Sequence, residues 1–238
     1  RCLAALQATD WPEMETLILS NRQELPGRTI AVGEIGRFAA LNLGAGEATG
    51  DYLAFVDSSV VVEDPGWLRE LMMLAQREDI LAAIPALFDG RGRILHAGYA
   101  LGMERVASCR QQGLPRTAGG WHGLEYTAHN VGAVSAACLL MRRACFQPFD
   151  ETYQSDLGSV EWSLRVRQQG GWFAFTPFSR ATAPHGAPVL HDGEAHPQEE
   201  ARMTASCPSL YDPCYSPLFS HKKADFHLNL DEKGRNVF

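Results

Sequence analysis

Apolar and polar positions change period several times along the first third of the chain. Residues 2–7 (CLAALQ) carry an apolar stripe among good helix formers, and Asp10, Trp11 and Pro12 close the segment. Residues 15–20 (ETLILS) form a short apolar run before a polar stretch over 21–27, which predicts a buried strand. Helical spacing returns over 38–48 (FAALNLGAGEA) and stops at Thr49 and Gly50. Residues 52–56 (YLAFV) have strong β character and run straight into Asp57, Ser58 and Ser59. An amphipathic helix is predicted over 67–76, entered through Asp64, Pro65 and Gly66. A buried strand follows over 80–87.

Alternating helices and strands over the first ~90 residues predict a parallel sheet covered by helices. In such sheets ligands sit beyond the carboxyl ends of the strands, so the pattern alone places Asp57 at a binding edge. Beyond the turn at 89–93 (DGRGR) the pattern is less regular. Residues 94–101 mix short apolar runs with glycine, and 109–126 read as a loop of the length that is commonly functional. The core returns over 131–141 (VGAVSAACLLM), expected as one strand with small residues. A helix over 160–169 is stopped by Gly170 and Gly171, and a short aromatic strand over 172–176 precedes Pro177. From about residue 186 the chain is rich in Pro, His and acids, and reads as irregular with one short helix at 199–205. The expected organisation is two halves of one domain, 1–90 and 91–185, then an extension over 186–238.

Composition narrows the classes. The 238 residues are 45% hydrophobic and 21% charged, ordinary for a soluble globular protein and long enough to bury a full core. A net charge of −7 and the lack of a basic run argue against nucleic acid and against a polybasic membrane anchor. The longest strongly apolar run, 131–141, is far short of the roughly 20 residues that span a bilayer. The six cysteines form no C-x-x-C pair, which reads as free thiols in a reducing compartment, here the cytoplasm. His185, His191 and His196 lack helical metal spacing. The start at Arg1, directly in a helical pattern, reads as a piece of a longer polypeptide.

The order of segments resembles glycosyltransferase family 2. Residues 38–52 match the family's helix, with Asn42, Gly44 and Gly50 in the expected places, and 53–67 (LAFVDSSVVVEDPGW) match the strand that delivers its D-x-D motif. Residues 137–143 with Phe149, Asp150 and Glu151 resemble the acceptor-side strand and its exit. Residues 160–170 (VEWSLRVRQQG), the next strand and His185 resemble its late helix, strand and trailing histidine. The stretch 96–130 (HAGYALG, GLPR, HN) is similar to a subgroup found in large polysaccharide-synthesis proteins.

The resemblance implies a GT-A-like α/β fold: a mostly parallel, Rossmann-like sheet flanked by helices, with a mixed acceptor-side half. It implies hexosyl or rhamnosyl transfer, with inversion, from a nucleotide-diphosphate sugar to a glycan or lipid-linked acceptor. It places the donor at Ser20, Asn42, Asp57 and Ser58, and a Mn or Mg ion at Asp57, Ser59 and His185. The setting it implies is cytoplasmic, peripheral to the inner membrane face.

Three departures stand out. The family's first strand, which helps hold the nucleotide base, has no counterpart before residues 2–7. Its D-x-D reads Asp57-Ser58-Ser59, and its acidic pair ending in the catalytic base reads Gly158-Ser159. A hydroxyl is a poor ligand for hard cations and a poor base at neutral pH. Asp156, Ser159 and Glu161 are therefore the catalytic candidates, with Asp156 and Glu161 flanking the lost carboxylate. The alternative is an inactive scaffold or binding domain. Each residue also has a structural reading: Asp57 capping its turn, Glu161 paired with Arg165 one helical turn on, Asn42 binding backbone, Trp121 packing on its loop.

Overall fold

The computed structural model describes residues 1–21, 25–103, 105–207 and 210–229. Five α-helices lie among them: α1 (Cys2–Gln7), α2 (Arg37–Glu47), α3 (Trp67–Ala75), α4 (Leu157–Arg167) and α5 (Pro197–Ser206). Strands β1 (Leu17–Ser20) and β2 (Arg28–Ala31) pair in parallel as a sheet of their own. The main sheet contains β3 (Tyr52–Val56), β4 (Val61–Val62), β5 (Ile80–Asp89), β6 (Ile94–His96), β9 (His129–Val131), β10 (Cys138–Arg142) and β11 (Trp172–Ala183). A hairpin of β7 (Tyr99–Met103) and β8 (Val106–Cys109) stands beside it.

The main path runs β3-β10-β5-β11-β4. Because β10 is antiparallel to both β3 and β5, while β5 is parallel to β11, the three strands β3, β5 and β11 run in one direction. The predicted parallel sense is thus present in strand direction, and the antiparallel β10 separates β3 from β5. Period-2 alternation along β10 sends Leu139 and Met141 to one face and Cys138 and Leu140 to the other. The first face is covered by α2 and α4 through Phe38, Val160 and Trp162, the second by α3 through Trp67, Leu68 and Leu71.

Two expectations change here. The run 131–141 is not one strand: β9 ends at Val131 and β10 begins at Cys138. Ala133 pairs with Tyr99 of β7 in both directions, at 2.8 and 3.1 Å, and Gly132 is packed so closely that an added Cβ would sit 2.2 Å from Asp212 Oδ2. The buried connection survives because side chains accept its amide hydrogens. Ser163 Oγ accepts from Val134, His96 Nε2 from Ser135, Ser159 Oγ from Ala136, and Ser135 Oγ from Ala137. Conversely, the aromatic strand does not stop at Pro177. β11 continues to Ala183, with Pro177, Phe178 and Ser179 looped out between the pairs Thr176–Pro85 and Arg180–Ala86. Neither proline can donate to the ladder, so a register break is where both are tolerated.

The region 186–229 does more than trail. Tyr215, Ala224 and Phe226 pack on Ala100 and Met103 of the hairpin. Asp212 Oδ2 accepts from Leu101 N at 2.9 Å, which ties the segment to β7.

Candidate functional site

A short turn leads from the carboxyl end of β3 to β4, which pairs with β11 near its own carboxyl end. Asp57 follows β3 directly, and its amide is anchored to the Ala137 carbonyl at 2.8 Å. Its Oδ1 accepts from Ser59 N at 2.9 Å and Ser59 Oγ at 2.6 Å, closing a tight turn. The turn delivers β4, whose Val61 and Val62 pair with Thr182 and Ala181 of β11. Ser58 and His185 are exposed. Because β3 and β11 run in the same direction, Asp57, Ser58 and Ser59 after β3 and His185 after β11 lie at the same, carboxyl edge of the sheet, and Asp57 also serves as the cap of its turn.

That donor set does not fit a divalent cation held by the protein. It has one carboxylate, already engaged by Ser59, one exposed imidazole, and a hydroxyl that donates to the carboxylate. Among the described residues no group of three or more His, Cys, Asp or Glu could hold a metal ion. A hard cation without a second carboxylate lacks the ligands it prefers.

Ser20 ends β1, and so belongs to the separate two-stranded sheet. Asn42 sits within α2 and grips the backbone of Phe149, donating to its carbonyl at 2.9 Å and accepting from its amide at 2.7 Å. This double bond ties α2 to the exit of β10, the structural role expected of it. Asn42→Ala leaves two main-chain groups to find other partners, and should cost about 2 kcal/mol in urea unfolding. An unchanged midpoint would mean that water replaces the clamp.

Two catalytic candidates, Ser159 and Glu161, lie on α4 and the third, Asp156, at its N-cap, and the three differ in setting. Glu161 is engaged by Arg165, with Nε at 2.9 Å and Nη2 at 3.0 Å, and Arg165 also holds the Pro148 carbonyl. Ser159 is fully buried; it donates to Asp156 Oδ1 at 2.6 Å while accepting from Ala136 N. Asp156 has a side chain only 1% exposed. Arg37 Nη1 donates to its Oδ1 at 2.7 Å, and Tyr99 OH to its Oδ2 at 2.6 Å. Burial, reinforced by Asp156, raises the Tyr99 phenol, so it keeps its proton and donates. Its oxygen accepts in turn from Leu190 N at 3.0 Å.

Arg37 and Tyr99 escaped the sequence reading. They meet Asp156 across separations of 119 and 57 residues, which no local spacing could reveal. His96 lies against Tyr99, with ring centroids 4.5 Å apart. Because its Nε2 accepts from Ser135 N, its Nδ1 is assigned the proton and donates towards Cys109 Sγ at 3.5 Å. Trp121 is half-exposed, but stacks on Phe226 at 5.5 Å and meets Phe219 edge-on, so it packs against the C-terminal segment.

Burial sets the acid response of the fold. It pulls His96 and His129 down to about 4 from 6.5, and pushes Glu125 up to about 7 from 4.5. A histidine with a depressed folded value contributes stability that is complete above pH 6.5. That contribution is lost as pH falls towards 4, because only the unfolded chain takes the proton. Each should withdraw about 3 kcal/mol over that window. Glu125 has the opposite sign: its burial is harmless below pH 4.5 and costs progressively more as pH rises through 7. Urea midpoints should therefore fall from pH 6.5 to 4. In Glu125→Gln the fall should be steeper, with the gain in stability confined to neutral pH. A flat wild-type profile would contradict the burial of both imidazoles.

The Glycosyl transferase family 2 profile matches residues 27–146, half of the chain. The chain belongs to glycosyltransferase family 2. It is 29% identical over 206 residues to the uncharacterized protein y4gI of Sinorhizobium fredii (strain NBRC 101917 / NGR234), covering 81% of the chain and 22% of that protein. It is 31% identical over 185 residues to the O-antigen biosynthesis protein RfbC of Myxococcus xanthus, covering 69% of the chain and 14% of that protein. The chain thus spans under a quarter of the length of these relatives. GalNAc-T7, crystallised with UDP, GalNAc and Mn2+, superposes with a TM-score of 0.57 at 15% identity, over 80% of this chain and 41% of its own. S. aureus TarS superposes with a TM-score of 0.51 at 13% identity, over 76% and 33%. At those identities they attest the GT-A fold alone. No described helix of this family 2 domain is long and apolar enough to cross a membrane.

Proposed function

We propose that the domain transfers a hexosyl or rhamnosyl group, with inversion, from a nucleotide-diphosphate sugar to a glycan or lipid-linked acceptor in polysaccharide synthesis. The reading rests on the β3–turn–β4 connection, which holds Asp57 and Ser58 at the carboxyl edge of the sheet, the edge at which β11 also ends before His185. The relationship to an O-antigen biosynthesis protein supports the polysaccharide setting, and the short matched share supports a place within a longer polypeptide. Donor binding at Ser20, Asp57 and Ser58 belongs to this reading, as does a cytoplasmic position at the inner membrane face. Transfer runs slowly here, because neither a second metal-binding carboxylate nor an exposed base stands at the family's positions.

The test is transfer by the full-length protein with a panel of UDP-, TDP- and GDP-sugars. Asp57→Ala should reduce turnover by about 100-fold or more, the scale of losing one preorganised electrostatic contact. Unchanged turnover would remove Asp57 from the site. Withdrawing Mn2+ should weaken nucleotide binding by less than about 1.4 kcal/mol, a factor of ten, since the donor set is poor. A larger loss would restore Asp57, Ser59 and His185 as ligands of a resident ion.

A second reading has its own support. The closest carboxylate to the base position, Asp156, is sealed by Arg37, Tyr99 and Ser159, which suits a non-catalytic domain that binds nucleotide or glycan beside an active partner. Binding of a nucleotide with no turnover on any donor would favour it.

A further inference from the structure

A cavity of about 230 Å³ opens between the β7/β8 hairpin, the start of α4, the 190–196 segment and Lys222–Lys223. Its floor is apolar, built from Met103, Ala107, Cys109, Leu157 and Leu190. Its rim carries the cations Arg105, Lys222 and Lys223, and the acids Asp192, Glu194 and Glu200. Two pairs form among them: Lys223 with Asp192 at 3.5 Å and Arg105 with Glu200 at 3.9 Å. We propose that this cavity binds one neutral sugar unit of the glycan acceptor.

Size, charge and position carry the proposal. Pockets for drug-sized ligands enclose roughly 300–1,000 Å³, so this one takes a single ring and not a nucleotide. Three cations against three carboxylates leave the rim balanced, which favours neither a phosphate nor a cation. A rim that offers both donors and acceptors beside apolar lining residues suits a pyranose, whose hydroxyls do both and whose C–H face is apolar. The cavity is joined to the catalytic candidates. Leu157 follows Asp156 directly, and Leu190 donates its amide to the Tyr99 oxygen that holds Asp156. A sugar seated here adjoins the α4 N-terminus, where the resemblance places the base. Naming it an acceptor rests on the transfer reading; the binding itself does not.

The experiment is amide NMR of this chain with methyl glycosides of glucose, galactose, mannose and rhamnose, and with glucuronate and inorganic phosphate as charged probes. At least one neutral glycoside should shift the amides of 105–109 and 191–194, with both charged probes weaker. The exposed-rim variant Glu194→Lys should keep its melting temperature, and glucuronate should then overtake the neutral glycosides. No shift at these amides from any neutral glycoside, or stronger binding of glucuronate or phosphate by the wild type, would overturn the proposal. UDP, added separately and read at residues 57–59, keeps the two readings apart. UDP shifts without glycoside shifts leave the transfer reading and remove this one. Glycoside shifts without UDP shifts do the reverse.

Discussion

Arg37→Met should destabilise the domain by about 3–5 kcal/mol, the scale seen when one partner of a buried ion pair is removed. For a chain of this size that corresponds to a fall in melting temperature of roughly 6–20 °C. The asymmetry is the reason. Asp156 has a side chain only 1% exposed, and Arg37 at 2.7 Å is the cation that faces it. Tyr99 and Ser159 supply hydrogen bonds but no charge. Methionine keeps the apolar stem over Phe38 and strands the carboxylate. The pair as a whole contributes far less than this, since desolvating both ions offsets most of their attraction, and Arg37 Nη2 has no partner among the described residues. Arg37→Met with Asp156→Asn should therefore recover more than half of the loss. The asparagine oxygen can still accept from Ser159, and its amide can donate to Tyr99. A double variant no more stable than Arg37→Met would show that the arginine acts by packing and not by charge.

That pair also marks where sequence reading reaches its limit. Helices α1, α2 and α3 and strands β1, β3 and β5 were legible because each has a strong local period and a clear stop, as at Gly50 or Asp10. The turn at Asp57 and the pair Glu161–Arg165 were legible for the same reason: their partners lie two and four residues away. The break in 131–141 was not. Past Val131 the chain leaves β11: Ala133 pairs with Tyr99 of β7, and the next amides bond to His96, Ser159 and Ser163, all distant in sequence. A run of small apolar residues looks alike whether its amides bond to a strand or to side chains. The continuation of β11 past Pro177 was hidden likewise, because proline ends a strand only where its missing N–H would be needed. The resemblance placed Ser159 at a lost catalytic position, but not its structural duty there.

That duty decides what restoring the carboxylate would do. Ser159→Asp should destabilise the domain by about 3–5 kcal/mol at pH 7, although it returns the residue type of the family. Ser159 Oγ lies 2.6 Å from Asp156 Oδ1 and is fully buried. An aspartate there loses the donated hydrogen bond and sets a second carboxylate against the first, with Arg37 as the shared cation. Two such carboxylates hold one proton far more easily than none, so the penalty should shrink as pH falls from 7 to 5. The swap Asp156→Ser with Ser159→Asp keeps a single charge within reach of Arg37 and should return to near wild-type stability. A carboxylate at 159 would be as fully buried as Ser159 is, so the swap should leave turnover at the wild-type level. Urea midpoints at pH 5 and 7 decide the electrostatic argument, and Ser159→Asp matching the wild type at both would end it. Transfer rates of the swapped variant test the burial: a gain over the wild type would show that substrate reaches residue 159.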